Sequence, residues 1–128
     1  MSLATSAVAV MLPVDDVDRA KKFYTEQLGL AYAGDNAEGS ARFDLGGGTP
    51  LLLLPRPGAP RSAATALSWE VSDVAAEVRE LEGRGVVFED YDLPGLKTVD
   101  HICEMESEKA AWFNDPDGNV LCVHQVTG

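Results

Sequence analysis

Positive charge is scarce in this chain. Ten Lys and Arg stand against 21 Asp and Glu, for a formal net charge of −11 over 128 residues. Phosphate backbones are held by clustered Lys and Arg, so nucleic acid is excluded as a partner. Long apolar runs are missing too. None approaches the roughly 20 residues that span a bilayer, so no membrane association is expected. Residues 1–14 lack the basic start and cleavage pattern of a secretory signal, and Met1-Ser2-Leu3 has the look of a vector remnant. Cysteine is limited to Cys103 and Cys122, with no CxxC pair and no disulfide framework. Reduced thiols in a cytoplasmic protein are the expectation.

What is present is ordinary for a globular chain: 45% apolar and 24% charged residues. The length allows one domain with a real core, not two independent ones. The plain reading of the acidity is solubility. The sharper one is an acidic groove that attracts a cationic ligand.

A repeat runs through the chain. Ala7 to Val14 reads as a strand leading into a helix, with Asp15 and Asp16 placed to cap its first turn. Val17, Ala20, Tyr24 and Leu28 recur at helical spacing, with Phe23 beside them. Arg19, Lys21 and Lys22 mark the wet side, and Gly29 ends the helix. Ala64 to Val71, Ser72-Asp73, the stripe Val74, Val78 and Leu81, and the stops Gly83 and Gly85 repeat this text. Val14/Val71, Asp16/Asp73 and Val17/Val74 pair at an offset of 57.

Shorter β-like runs follow each helix. They are Leu30 to Ala33, Ala41 to Leu45 and Pro50 to Leu54, then Val86 to Glu89, Ala110 to Phe113 and Val120 to Val126. Gly46-Gly47-Gly48 and Asp115-Pro116-Asp117-Gly118-Asn119 are the turns. Phe43/Phe113 and Leu52/Cys122 now pair at an offset of 70, so the second half carries 13 extra residues. They fall in Asp90 to Glu108, expected as a long irregular stretch of the kind that forms lids. The fold class expected is α+β, two βαβββ copies.

These residues carry a resemblance. Val14-Asp15-Asp16-Val17-Asp18-Arg19-Ala20-Lys21-Lys22-Phe23-Tyr24, closing on Leu28-Gly29-Leu30, resembles the opening of vicinal-oxygen-chelate (VOC) proteins. That superfamily includes glyoxalase I, bleomycin-resistance proteins and extradiol dioxygenases. Ala111-Trp112-Phe113-Asn114-Asp115-Pro116-Asp117-Gly118-Asn119 resembles its closing strand–turn–strand. The resemblance implies a single domain over residues 4–128, with module one at 4–58 and module two at 62–126. Such modules curl into a cup and are usually completed by a homodimer. It does not fix a reaction.

In metal-using members the implied ligands are His, Glu or Gln on the first and last strands of each module, suited to a divalent ion. Carried over by position, the sites here are Ala9, Ala66, Leu52 and Cys122. Three of these offer no donor atom. No metal and no other cofactor is therefore expected. The run Asp100, Glu104, Glu106 and Glu108, with His101, Cys103 and Met105 alternating, fits no established metal motif and reads as a solvated acidic loop.

Period-two alternation converts the implied ligand positions into a lining. Ala9, Met11 and Pro13 face the cup, as do Ala66, Ser68 and Glu70, and Val120, Cys122 and His124. Leu52 and Leu54 add apolar wall. Phe113 reads as core, which turns Trp112 the other way. The ligand-binding candidates are thus Met11, Leu52, Ser68, Glu70, Trp112, Cys122 and His124. Glu70 and His124 are the titratable pair suited to acid–base work; His101 and Tyr91 could reach over the opening. Cys122 reads as a small buried residue rather than a nucleophile.

Three functions compete. The first is metal-independent binding of a small, partly aromatic or cationic molecule, as in the bleomycin-resistance branch. The second is a glyoxalase-like lyase, isomerase or dioxygenase, either metal-dependent or working by acid–base chemistry through Glu70, His124 or His101. The third, a purely structural role, predicts a filled cup.

Overall fold

A computed structural model describes residues 2–128; Met1, the start of the remnant-like tripeptide, lies outside the described residues. The chain divides into two compact units that meet in sequence between Pro60 and Arg61. Each mixes one four- or six-stranded sheet with little helix, an α+β composition.

The first unit contains β1 (Val10–Val14), α1 (Val17–Lys22), β2 (Ala31–Asp35), β3 (Ala41–Asp44) and β4 (Pro50–Pro55), with sheet order β1-β4-β3-β2. Asp16 caps α1, its carboxylate accepting from the Arg19 N–H at 3.1 Å. The helix widens into a π turn over Phe23–Gln27 and stops at Gly29, whose φ of 72° suits a residue without Cβ. Alternation along the strands buries Leu12, Val14, Leu51, Leu53 and Phe43. The ring of Tyr24 meets that of Phe43 at 5.9 Å, which locks the helix onto this face of the sheet.

The second unit contains β5 (Thr65–Glu70), α2 (Val74–Gly83), β6 (Asp92–Leu93), β7 (Leu96–Val99), β8 (Ile102–Glu104), β9 (Glu108–Asn114) and β10 (Val120–Val126), ordered β5-β10-β9-β8-β7-β6. Asp73 caps α2 as Asp16 caps α1, accepting from the Ala76 N–H at 3.1 Å. Val74, Val78 and Leu81 are buried, as the helical stripe requires, along with Phe113, Leu121 and Val123. The Asp115–Asn119 turn is built on one buried carboxylate. Asp115 accepts from the N–H groups of Asp117 and Asn119 at 2.9 Å and from the Asn119 amide at 2.8 Å.

The strand registers reproduce the sequence repeat. Met11 faces Leu52 in the first unit, and Ser68 faces Cys122 in the second; Phe43 faces Leu51, and Phe113 faces Leu121. The first two pairs are related by the offsets of 57 and 70, and the second two by 70 at both positions.

Two expectations need correcting. The first strand begins at Val10 rather than Ala7. Asp90 to Glu108 is not irregular: it holds β6, β7 and β8. Phe88 forms a single bridge with Phe113, and then Cys103 pairs with Ala110. One edge of β9 is thus covered by a strand cut in two. Chain advances fifteen positions from Phe88 to Cys103 while its partner steps back three. The residues between form hairpins, the second turning at Asp100 and His101, both at positive φ. That is the geometry of a two-residue turn whose twist matches the flanking strands.

Candidate functional site

Three strands of the second unit gather most of the expected side chains on one face. β10 lies between β5 and β9, and the register sets Ser68, Cys122 and Trp112 in one row, with Glu70, His124 and Ala110 in the next. Residues paired across strands project to the same side. Leu121, Val123 and Phe113 occupy the alternate positions and pack on the other side, with the apolar stripe of α2.

Ser68 Oγ and His124 Nδ1 are 2.6 Å apart, a short hydrogen bond. The other ring nitrogen of His124 is 3.9 Å from Glu70 Oε1, beyond hydrogen-bond range, and the Glu70 side chain is 70% exposed. The pair Ser68–His124 is therefore made, with Glu70 as a wet anionic neighbour. Cys122 is only 4% exposed. Burial pushes its thiol up, and a hydrogen bond with Ser68 opposes this in part. A protonated thiol in such a setting packs; it does not attack.

Trp112 is oriented by a residue that the pattern of the sequence does not reveal. Its indole N–H donates to Thr65 Oγ1 at 3.1 Å. Val120 pairs with Thr65, yet the next residue, Leu121, pairs with Leu67, so Ala66 is an extra residue on β5. This β-bulge breaks strict alternation and lets Thr65 reach Trp112. No local signal marks a bulge inside Thr65-Ala66-Leu67, so period two alone assigns Ala66 to this face and passes over Thr65. Tyr91 completes an aromatic corner, its ring 5.7 Å from that of Trp112 at 82°. Burial, then the nearby Glu89 and Cys122, raise the Tyr91 hydroxyl above its ordinary value. Glu89 accepts from the Asn114 amide at 2.9 Å, and its backbone N–H donates to the Trp112 carbonyl.

Met11 and Leu52 belong to the first unit. They face each other across β1 and β4, on the side opposite buried Leu51 and Leu53, and Met11 is 55% exposed. They are the repeat counterparts of Ser68 and Cys122. The duplicated position is thus apolar in one unit and polar in the other.

His101 stands apart from the other candidates. Its Nδ1 meets the Asp90 carboxylate at 3.0 Å, its Nε2 meets Glu82 of α2 at 3.2 Å, and its ring lies 6.2 Å from that of Phe88. Phe88 packs on Phe113, which alternates with Trp112. His101 is therefore on the helix side of the sheet, away from Ser68 and His124, where it lines a cleft of about 880 Å³ with Glu82, Arg79 and Lys97.

The residues at the implied ligand positions do not fit a divalent ion. Ala9, Ala66 and Leu52 have only carbon to offer, and Cys122 is a lone thiol held protonated. Among the described residues no three His, Cys, Asp or Glu side chains form a group able to hold a metal.

Comparison with known proteins agrees with the fold. The sequence pattern that describes the Glyoxalase/Bleomycin resistance protein/Dioxygenase superfamily matches residues 6–123. The antibiotic-binding protein TnmS3 from Streptomyces sp. CB03234 is 27% identical, with a TM-score of 0.72 over 98% of this chain and 99% of that one. A glyoxalase/bleomycin resistance protein from the same organism is 29% identical, with a TM-score of 0.65 over 94% and 100%. A lactoylglutathione lyase from Agrobacterium tumefaciens shares the fold at 22% identity, with a TM-score of 0.67 over 97% and 96%. Among curated proteins none matches.

Proposed function

Because the chain belongs to the Glyoxalase/Bleomycin resistance protein/Dioxygenase superfamily, we propose that it binds a small, partly aromatic or cationic molecule without a metal. The observation that carries this is the aromatic corner of Trp112 and Tyr91, on the face of the second sheet opposite α2. A flat ring laid on the indole gains dispersion and apolar burial, about 25 cal/mol per Å² covered. Glu70 and Glu89 near this face favour positive charge on the guest, and an indole attracts cations through its quadrupole. Likeness over nearly the full length to an antibiotic-binding protein supports the same reading. The reading includes a homodimer, the commonest closed assembly for a small chain, and a cytoplasmic location.

Thermal-shift screening against flat aromatic antibiotics and aromatic cations, followed by calorimetry, tests the binding. A stoichiometric complex without turnover supports it; a panel with no binder counts against it. Metal analysis of protein purified without chelator tests the metal-free part, and stoichiometric Zn, Ni or Fe overturns it.

One observation favours a second reading. The 2.6 Å Ser68–His124 bond, with Glu70 beyond it, is an arrangement suited to moving a proton in a lyase or isomerase. If His124→Gln and Glu70→Gln leave any turnover unchanged, that version is eliminated.

A further inference from the structure

A continuous chain of contacts runs from helix α2 through the insertion to Trp112. Glu82 meets His101 Nε2 at 3.2 Å, and His101 Nδ1 meets Asp90 at 3.0 Å. Asp90 accepts from the Thr98 hydroxyl at 3.2 Å. Thr98 then fixes the next residue twice: its Oγ1 accepts from the Tyr91 N–H at 2.9 Å, and its own N–H donates to the Tyr91 carbonyl at 2.9 Å. The Tyr91 ring then stands edge-on to Trp112. The insertion thereby delivers an aromatic side chain to one face of the sheet while its turn residue, His101, is anchored on the other.

The first unit shows what the site lacks without this device. There β2 runs beside β3 as one strand, pairing Tyr32 with Phe43 as Phe88 pairs with Phe113. The next pairing there is Gly34 with Arg42, the counterpart of Trp112, past one irregular residue, so the strand continues where the second unit inserts its hairpins.

We infer that Tyr91 is the specificity-determining residue that selects a flat aromatic group on Trp112, and that His101 is its positioning residue. The inference rests on the binding reading above and adds to it the shape of the guest. The two rings, 82° apart, are two walls set nearly at a right angle, and the slot is the angle between them. A flat ring can lie on the indole and meet Tyr91 along its edge, whereas a globular aliphatic group of similar size collides with one wall or leaves a gap at the other. The hydroxyl of Tyr91 is not what the slot uses; its ring is. His101 touches neither the slot nor Trp112. It acts by holding Asp90, and so the backbone next to Tyr91, against α2.

Two cations test this: proflavine, which is flat, and 1-adamantylammonium, which is globular. Their affinities are measured by calorimetry on the full chain, and the ratio is the readout. Wild type should prefer proflavine. Tyr91→Ala should lower the ratio at least tenfold, and Tyr91→Phe should keep it within about twofold. His101→Gln should lower it several-fold and weaken the near-UV circular dichroism of the Tyr91–Trp112 pair, measured in a Trp69→Phe background. An unchanged ratio in Tyr91→Ala, with proflavine still bound, overturns the selection role while leaving the binding reading standing. Unchanged dichroism and ratio in His101→Gln overturn the positioning role. A wild-type chain that binds neither probe removes the binding reading and this inference together. Melting curves for each variant separate loss of selection from loss of fold, and Tyr91→Phe keeps the test decisive if Tyr91→Ala unfolds.

Discussion

Ser68 Oγ and His124 Nδ1 lie 2.6 Å apart on neighbouring parallel strands, although 56 residues separate them along the chain. The contact exists only because β10 is inserted between β5 and β9. It ties the first strand of the second unit to its last, and it fixes the orientation of the imidazole. Ser68→Ala should cost about 0.5–1.5 kcal/mol by urea titration, near the lower end because the pair is partly wet. It should also weaken any ligand that contacts His124. Equal stability of the variant and wild type would show that the bond adds nothing net over water.

Cys122 gives a pH dependence with a definite sign. Burial raises its thiol above the ordinary value of 9.0. Below that value both folded and unfolded chains hold the proton, and the thiol is indifferent to pH. Above it, only the unfolded chain releases the proton, so folding stability falls as pH rises until the folded thiol also titrates. Cys122→Ala should flatten the stability profile above pH 9 relative to wild type, measured by urea midpoints. A profile of identical slope in both proteins contradicts the raised value.

The two helix caps should contribute alike. Asp16 and Asp73 each accept from the backbone N–H three residues on, at 3.1 Å. Each replaced by Ala should cost about 1 kcal/mol, and the double variant about the sum, because the sites share no partner. Differential scanning calorimetry of the four proteins checks both magnitude and additivity.

Asp115 should be less replaceable than either cap. Its buried carboxylate takes three hydrogen bonds within the closing turn. Asp115→Ala leaves those donors buried without their acceptor and should cost about 2–3 kcal/mol. Asp115→Asn keeps one carbonyl acceptor and should lose less. Similar melting temperatures for the two variants would mean that water replaces the carboxylate.

Much of the fold was legible because it is written in periods. The helices follow from apolar residues spaced along Val17 to Leu28 and Val74 to Leu81, each behind an Asp cap. The strands follow from alternation, and the face assignments of Ser68, Cys122, His124 and Trp112 agree with the pairings seen. The insertion was legible by arithmetic, as the difference between the two repeat offsets. Its form was not. Asp100, His101 and Cys103 look like parts of an acidic loop in sequence, since hairpin pairing there depends on the edge of β9 being open to receive β8.

Sequence alone determined the duplicated α+β plan and the absence of donor atoms at Ala9, Ala66 and Leu52, because local spacing and side-chain chemistry need no partner to be read. Only the tertiary structure decided that Thr65 would hold Trp112, that Tyr91 would stand against its ring, and that His101 would face α2 instead. Each of those outcomes turns on a register: a bulge of one residue in β5, and a jump between Phe88 and Cys103 along β9. Register is set by strands meeting across long stretches of chain, and a one-residue slip reverses which face a side chain joins.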